Sequence, residues 1–383
     1  ALSELGQLDA MLLPALAFEL VADIDGAKTS IELKNLTARL GDSDLAATAT
    51  LTVADVPDFK VRATSNLINL TNFERPGTAE LESDLAPASS RVIPDTPLTF
   101  DDLGRFNADV DISVKRMVAW RTTSENLQIV AVLRDGALNI ERFSYNDDDG
   151  HLELAARLTP NDSGADLSLD LKATGIELGI GVTEDQDPAT IPVYNLDIGF
   201  TGHGATAAEV AATLNGHMLL TSDGGLVENA DLDLFFGDFI GNVFDMLNPF
   251  STSQTHTPIE CSIVKFDVID GIVDLRPGII VRTDKVNMSV RGKADLSTEK
   301  LNVAFHTEAR KGLGISAGSI INPYFKVGGT LASPKIELDA QNAAVAYGAA
   351  VATGGLSIVA VGLYERLRGE RNPCLEFLEP AAE

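Results

Sequence analysis

Histidine, cysteine and tryptophan are scarce in this chain of 383 residues, which has five histidines, two cysteines and one tryptophan. The histidines, at positions 151, 203, 217, 256 and 306, share no metal-ligand spacing, so the paired ligands of a zinc site are missing. P-loops, nucleophile elbows, dinucleotide fingerprints and kinase motifs are absent as well. The sequence therefore predicts neither a catalytic centre nor a cofactor.

Basic residues are also few, because 29 Lys and Arg stand against 56 Asp and Glu, for a net charge of -27. Nucleic acid binding needs stripes of Lys and Arg, so we expect no nucleic acid partner. Electrostatic docking on anionic lipid is disfavoured for the same reason, and any lipid contact should be apolar. Alternatively, the acidity only keeps a β-rich protein soluble and protects its sheet edges.

Long hydrophobic runs are missing from the N-terminal region. The stretch from Met11 to Leu16 is far shorter than the roughly 20 residues of a membrane-spanning helix, and no signal peptide is recognisable. Because the chain begins at Ala1 without a methionine, we expect a fragment or a processed protein.

What the chain has in abundance is strict alternation of apolar and polar residues, for example from Phe106 to Val114 and from Leu167 to Ala173. Short turns such as Asp135-Gly136 and Asp270-Gly271 separate the alternating runs. This pattern predicts a mainly β fold, an extended twisted antiparallel sheet curled into an open hydrophobic groove, with a few helices toward the C-terminus. About 20 strands spaced ~4.8 Å apart would give a length of order 100 Å.

The inward-facing apolar positions of these strands are the candidate residues of the groove. They are Val110, Ile112, Leu169, Leu171, Met288, Val290 and Val303. A closed β-sandwich or solenoid would show the same alternation, because an inward face looks alike whether side chains or lipid tails cover it.

Three segments and three helices are expected along the chain. The segments are an N-terminal β segment at 1–85, a middle β segment at 98–190 and a C-terminal β region with helices at 191–383. The helices are expected at 206–214, 231–247 and 341–368, and Ala86 to Pro97 is the best linker candidate. Helix 231–247 is apolar enough to pack on a sheet or to gate a groove. Helix 341–368 is rich in alanine and glycine, which favours a position along the sheet or a membrane surface over a spanning one.

A series of motifs in the C-terminal half resembles the AsmA family of bacterial envelope proteins. The motifs are the glycine-rich strand-helix-strand unit at 200–225, the apolar helix at 231–249, the cysteine strand with its Asp-Gly turn, the hairpins of VRTDKVNMSVRGKADLSTEKLN, the strand pair GGTLASPKIELD and a C-terminal helix followed by Asn372-Pro373-Cys374. Each motif is weak alone, and their order carries the resemblance. It covers roughly residues 190 to 380, and the upstream strands are compatible with it.

The resemblance implies a non-enzymatic role in phospholipid transport or outer-membrane maintenance. It places the protein in the periplasm of a Gram-negative bacterium, anchored to the inner membrane by a segment outside this chain. The implied partners are phospholipid and the membrane surfaces or other envelope proteins. A structural scaffold with a closed core is the alternative, and an enzyme acting on envelope glycans is a distant third.

The AsmA-like pattern has cysteines at both cysteine positions of this chain, which implies a disulfide between Cys261 and Cys374. Such a bond would close a loop of about 110 residues, worth roughly 4 to 5 kcal/mol in the chain-entropy model. It requires an oxidising compartment, which the periplasm provides. The alternative is two unrelated buried thiols in a cytosolic protein.

Overall fold

The computed structural model describes residues 16–71, 91–119, 123–147, 149–177, 186–228, 256–284, 286–310, 325–338 and 372–378. The chain forms two compact units. The first unit combines Ala1–Ser89, Pro97–Thr174 and His203–Ala205, and the second combines Ser90–Thr96, Gly175–Gly202 and Thr206–Glu383. The described residues contain 19 strands and two short α-helices, which confirms the predicted mainly β class.

The first unit contains two antiparallel meanders. The strands of the first meander are β1 (Phe18–Gly26), β2 (Ser30–Leu40), β3 (Ser43–Thr52) and β4 (Asp58–Ser65), followed by the short β5 (Ile68–Asn69). Those of the second are β6 (Asn107–Val118), β7 (Thr123–Arg134), β8 (Ala137–Asp147), β9 (Gly150–Asn161) and β10 (Gly164–Ile176). Within each meander, neighbouring strands pair in chain order.

The two meanders join through a parallel pairing, which the prediction of an antiparallel sheet missed. Residues Asp58 to Ser65 of β4 pair in parallel with Asn107 to Val114 of β6, and β5 also pairs in parallel with β6. A parallel pair needs a long connection rather than a tight turn. The stretch between β5 and β6 supplies that length, and it returns the chain to the end of the sheet where β4 began.

Two of the predicted turns have the backbone geometry that suits a two-residue hairpin. Asp135 and Gly136 have φ angles of 51° and 81°, and Asp270 and Gly271 have 47° and 71°. Two successive positive φ angles match the right-handed twist of the flanking strands. At Gly271 an added Cβ would also lie 2.7 Å from the carbonyl oxygen of Ala211, so only glycine fits.

The second unit is another run of antiparallel strands. They are β11 (Tyr194–Gly204), β12 (Asn215–Ser222), β13 (Gly225–Glu228), β14 (His256–Ile269), β15 (Ile272–Thr283), β16 (Val286–Asp295), β17 (Lys300–Ala309), β18 (Phe325–Thr330) and β19 (Ser333–Leu338). Strand β14 pairs with β12, β13 and β15, and the later strands then pair in chain order up to β19.

Short helices follow β11 and end the described chain. Helix α1 (Ala207–Ala212) begins after Thr206, whose side-chain oxygen accepts a hydrogen bond from the backbone N–H of Glu209 at 3.1 Å. Thr206 is thus an N-cap, and the observed helix lies within the stretch 206–214 where a helix was expected. Helix α2 (Pro373–Leu378) lies against β14 and β15. The helices expected at 231–247 and 341–368 lie outside the described residues.

A carboxylate holds one part of the expected linker against the second unit. The backbone N–H groups of Val92 and Ile93 donate to the two oxygens of Glu299 at 2.9 and 2.8 Å, and the Arg91 guanidinium lies 3.5 Å away. The Glu299 side chain is only 1% exposed. Burial by itself raises the pKa of Glu299, but these hydrogen bonds and the charge of Arg91 outweigh it and lower the pKa. The carboxylate is therefore an ionised anchor.

The same segment, residues 91–96, also contacts the start of helix α1, and we call it the strap. The Thr206 hydroxyl donates to the Asp95 carboxylate at 2.9 Å, and the backbone N–H of Ala208 donates to the carbonyl oxygen of Pro94 at 3.2 Å. The described half of Ala86 to Pro97 is thus fixed to the second unit instead of being a free linker.

Candidate functional site

Apolar side chains of the first unit form rows that cross the sheet from strand to strand. Because directly paired residues point to the same face, the register defines each row. One row consists of Ile24, Leu33, Ala49, Val61, Val110, Ala131, Ile140, Ala156 and Leu169. The next row consists of Leu36, Ala47, Ala63, Ile112, Ile129, Phe143, Leu154 and Leu171. We call this surface the apolar face.

The register brings together the four groove candidates of the first unit. Val110 and Leu169 belong to one row, and Ile112 and Leu171 belong to the next. Each pair is separated by four inter-strand steps, or about 19 Å. All four side chains are partly exposed. The alternation in the sequence therefore identified one continuous face, although nothing in the sequence could show that the two rows are aligned.

The opposite face of the same strands is polar. Ser113 and Lys172, which alternate with the groove candidates, lie on this face. Arg134 crosses two strands there and forms ion pairs with Asp58 at 3.1 Å and with Asp109 at 2.7 Å. These half-buried pairs link the ends of β4, β6 and β7 across the parallel pairing. The first unit is thus apolar on one side and charged on the other.

Exposure of the apolar face changes from strand to strand within the first unit. Near the start, on β1, the side chains of Phe18, Leu20 and Ile24 are 65%, 55% and 70% exposed. On β7, by contrast, Leu127 and Leu133 are 7% and 5% exposed. Large apolar side chains are usually buried, and a group of exposed ones marks a surface that another molecule can cover. The face is therefore open at β1 and closes toward the middle of the unit.

The three groove candidates of the second unit are buried. Met288, Val290 and Val303 are 6%, 4% and 8% exposed, and they pack in one cluster with Phe305 and Val327. Paired residues Val290 and Phe305, and Val303 and Val327, place this cluster on one face of β16 to β18. The predicted open groove does not extend to these positions, since their surroundings are those of a closed core.

Among the described residues, the other face of the second unit carries a small apolar patch that helix α2 covers. Ile263 and Ile280, which pair across β14 and β15, are 1% and 7% exposed, and Cys261 and Cys374 pack against them. The two cysteines form a disulfide with a Cα–Cα distance of 6.5 Å. This confirms the pairing that the resemblance implied. The Lys265 ammonium group lies 5.6 Å from the centre of the Phe377 ring on α2.

Next to the disulfide, two arginines share one carboxylate. Glu260 accepts hydrogen bonds from Arg282 at 2.7 Å and from Arg310 at 2.5 Å. Arg282 is buried and also donates to the side chain of Asn287 at 3.3 Å. Burial by itself raises the pKa of Glu260, but the hydrogen bonds and charges of the two arginines outweigh it and lower the pKa. This network fastens the ends of β14, β15 and β17 to one another.

Several members of the apolar rows were not among the sequence candidates. Ile129 on β7 and Phe143 on β8 lie between Ile112 and Leu171 in the second row. Strand β7 reads TSENLQIVAVLR, where Val130 and Val132 on the polar face obscure the alternation. Strand β8 contains a register shift between Ile140 and Phe143, which breaks its period of two. Only the pairing partners reveal these positions.

Within the described part of the chain, no group of His, Cys, Asp and Glu side chains is arranged to hold a metal ion. Also within the described residues, no helix has both the length and the apolar character that crossing a membrane requires. The candidate site is thus the apolar face of the first unit.

Comparison with known proteins identifies the family of the chain. The model of the AsmA family matches residues 14–277, which is more than half of the chain. The match includes the upstream strands, so it begins far earlier than the motifs at 190 to 380 suggested. It ends within β15. No curated protein and no solved structure matches the chain. AsmA proteins are associated with assembly of the bacterial envelope and with lipid transport. Because the match spans both meanders of the first unit and the strands up to β15, the chain belongs to the AsmA family.

Proposed function

We propose that the first unit carries phospholipid by holding its acyl chains on the apolar face, without an enzymatic step. The observation that supports this proposal is the two continuous apolar rows of the first unit. On one of these rows, the side chains of Ile112 and Leu171 remain partly exposed. A face that existed only to form a core would be buried throughout, as it is around Val290. The apolar face is instead open to a hydrophobic ligand at several strands.

The dimensions of the face suit an acyl chain. The first row crosses nine strands, β1 to β4 and β6 to β10, and eight inter-strand steps amount to about 40 Å. One leaflet of a bilayer core is roughly 15 Å thick, so an extended acyl chain fits on the rows with length to spare. Each CH2 group removed from water contributes about 0.8 kcal/mol. Since neighbouring positions on a row offer similar apolar contacts, a chain can move along it without large barriers.

The proposal places this activity in the periplasm of a Gram-negative bacterium. The disulfide between Cys261 and Cys374 supports an oxidising compartment, and membership of the AsmA family supports the envelope. In this proposal the partners are phospholipid and the inner and outer membrane surfaces or other envelope proteins. A membrane anchor outside this chain would hold the protein at the inner membrane.

A structural role is the second candidate function, and the second unit favours it. The cluster of Met288, Val290, Val303, Phe305 and Val327 is buried, and a closed core of this kind is what a structural scaffold requires. The two roles are compatible if the first unit binds lipid and the second provides stability. They differ in whether any lipid binds at all.

Mass spectrometry of the purified protein tests the proposal. We expect phospholipid to co-purify with the chain. Photo-crosslinking side chains at Ile112 and Leu171 should then capture lipid, whereas matched positions on the polar face, Ser113 and Lys172, should not. Equal capture on both faces, or a protein free of lipid after extraction from membranes, would reject the lipid-carrying function and favour the structural role.

A further inference from the structure

We infer that the free edge of strand β1 binds a segment of another protein, which adds to the sheet as a β-strand and alternates apolar with basic residues. Among the described strands, β1 pairs with β2 along one edge, and no described pairing occupies its other edge. An unpaired edge presents backbone N–H and C=O groups to which a further strand can bond. The inference goes beyond the proposed function, because it holds whether or not the apolar face carries lipid.

The side chains of β1 are exposed on both faces of the sheet. On the apolar face, Phe18, Leu20 and Ile24 are all more than half exposed, and on the polar face Val21 is 55% exposed. Ala63, on the internal strand β4, is only 7% exposed. Exposed large apolar side chains along a sheet edge mark a surface that another chain can cover. A strand added to β1 would cover them from the side and extend the apolar face by one strand.

Strand β2 shows which residues complement β1, because β2 already pairs with its other edge. On the apolar face, β2 places an apolar residue opposite each large apolar residue of β1, in the pairs Phe18–Leu40, Leu20–Ala38 and Ile24–Leu33. On the polar face, basic residues lie opposite acidic ones, in the pairs Glu19–Arg39 and Asp23–Lys34. The Lys34 ammonium group also lies 3.0 Å from the carboxylate of Asp25. Since opposite charges across a strand pair are stabilising, a strand on the free edge should carry basic residues on its polar face.

The same charges argue against a second copy of β1 as the occupant. When two copies pair antiparallel with Leu20 opposite Ile24, Glu19 lies opposite Asp25. Like charges that face each other across a strand pair are destabilising. The preceding segment of the chain, residues 1–15, is not complementary either, because it contains two acidic residues and no Lys or Arg. The charges therefore favour a basic strand from another protein.

Three synthetic peptides test the inference with the purified chain. The first has the sequence of β2, Ser30–Leu40, and supplies the basic complement. The second carries Lys34→Glu with Arg39→Glu, which reverses its charges. The third carries Thr37→Pro with Ala38→Pro, which removes two adjacent backbone N–H groups and keeps the charge. Measured by fluorescence anisotropy, the first peptide should bind about tenfold more tightly than either of the others.

Amide hydrogen exchange followed by mass spectrometry locates the bound peptide. At a peptide concentration about ten times the Kd, about nine-tenths of the chain is bound. The β1 amides that bond to the peptide should then exchange about tenfold more slowly than in the chain alone. The amides of β7 serve as the control and should not change, because β7 already pairs with β6 and β8 along its two edges.

Two charge-matched variants locate the contribution of the carboxylates. Glu19→Gln with Asp23→Asn removes two negative charges from exposed positions on β1. Asp111→Asn with Asp170→Asn removes the same charge from exposed positions on the polar face of β6 and β10. The β1 variant should bind the first peptide roughly threefold to tenfold more weakly than wild type, and the control variant should bind it as wild type does.

Four results would overturn the inference. Equal binding of the first and third peptides would show attraction between charges without strand addition. Equal weakening in both variants would assign the binding to net charge and not to β1. Slow exchange of all β1 amides in the chain alone would show that this edge is already covered. Protection of β1 by vesicles of phosphatidylethanolamine and phosphatidylglycerol, but by none of the peptides, would assign the edge to a membrane surface.

Discussion

A negative charge should have opposite consequences at two apolar positions, Val290 in the second unit and Leu171 in the first. Val290 is 4% exposed and packs against Met288 and Phe305, so an aspartate there would be a buried, unpaired charge. Leu171 is partly exposed on the apolar face, where an aspartate could remain in contact with water. We therefore expect Val290→Asp to destabilise its unit strongly and Leu171→Asp to leave the stability of the fold nearly unchanged.

The magnitudes differ enough to measure. An uncompensated buried charge costs roughly 3 to 5 kcal/mol. For a unit of this size each kcal/mol lowers Tm by about 2 to 4 °C, so Val290→Asp should lower Tm by about 6 to 20 °C. Leu171→Asp loses part of one apolar contact, about 1 kcal/mol, and should lower Tm by at most about 4 °C. As a control, Val290→Ala removes apolar burial without adding charge and should cost about 2 kcal/mol.

Thermal unfolding followed by circular dichroism, together with the amount of co-purifying phospholipid, provides the assay. Leu171→Asp should lose most of its bound lipid, because an acyl chain on this face would have to displace the water around the carboxylate. Val290→Asp should show its main effect as a lower Tm. If Leu171→Asp lowers Tm as much as Val290→Asp does, the apolar face is a closed core and the distinction between the two units is refuted. If it keeps both its lipid and its Tm, the row containing Leu171 carries no lipid.

Three further predictions concern anchors of the second unit. Glu299→Gln should lower the unfolding free energy by about 2 kcal/mol, because it removes the negative charge of the side chain that accepts hydrogen bonds from two backbone N–H groups. Tryptic cleavage after Arg91 should then be faster than in wild type. An unchanged cleavage rate would mean that other contacts hold the strap. Replacing Cys261 and Cys374 together by serine should cost roughly 2 to 5 kcal/mol in thermal unfolding, and a Tm equal to that of the oxidised wild type would contradict this stabilising role. The pKa values of Glu299 and Glu260 are both lowered in the folded chain. The stability that these carboxylates contribute is therefore complete at neutral pH and is lost as the pH falls below about 4.3, the ordinary glutamate value. Urea unfolding between pH 7 and pH 3 should show this decline, and a free energy of unfolding that rises on acidification would contradict it.

The strands and their faces could be predicted because a period of two is a local property of the sequence. Ile112 and Leu171 were assigned to an inward face from their polar neighbours alone, and the register confirms that they share one. The degree of burial could not be predicted in this way. Val290 alternates as strictly as Ile112, yet Val290 is buried and Ile112 is partly exposed. Exposure depends on what packs over a face, and strand periodicity contains no information about that.

Two other features depended on contacts distant in the sequence. The parallel pairing of β4 with β6 was missed because a run of alternating residues has no preferred direction relative to its neighbour. The carboxylate of Glu299 binds backbone groups more than 200 positions earlier in the chain, and one glutamate among many acidic residues gives no local signal of such a role. The disulfide was anticipated through the family resemblance, since two cysteines alone do not specify a bond.

The parallel seam between β4 and β6 has a consequence for how the first unit acquires its structure. Apart from the short β5–β6 pair, the other described strand pairs of that unit join strands that are linked by short turns. Each meander can therefore form from a hairpin with little loss of loop entropy. The seam instead joins Asp58 to Asn107 across a long connection that includes the strap. Long-range pairing of this kind is slow, and until it forms, both meanders present an unpaired edge that can join another chain. Formation of this parallel pairing is therefore the folding step at which the chain is most exposed to aggregation, and the step at which a chaperone would be of most use.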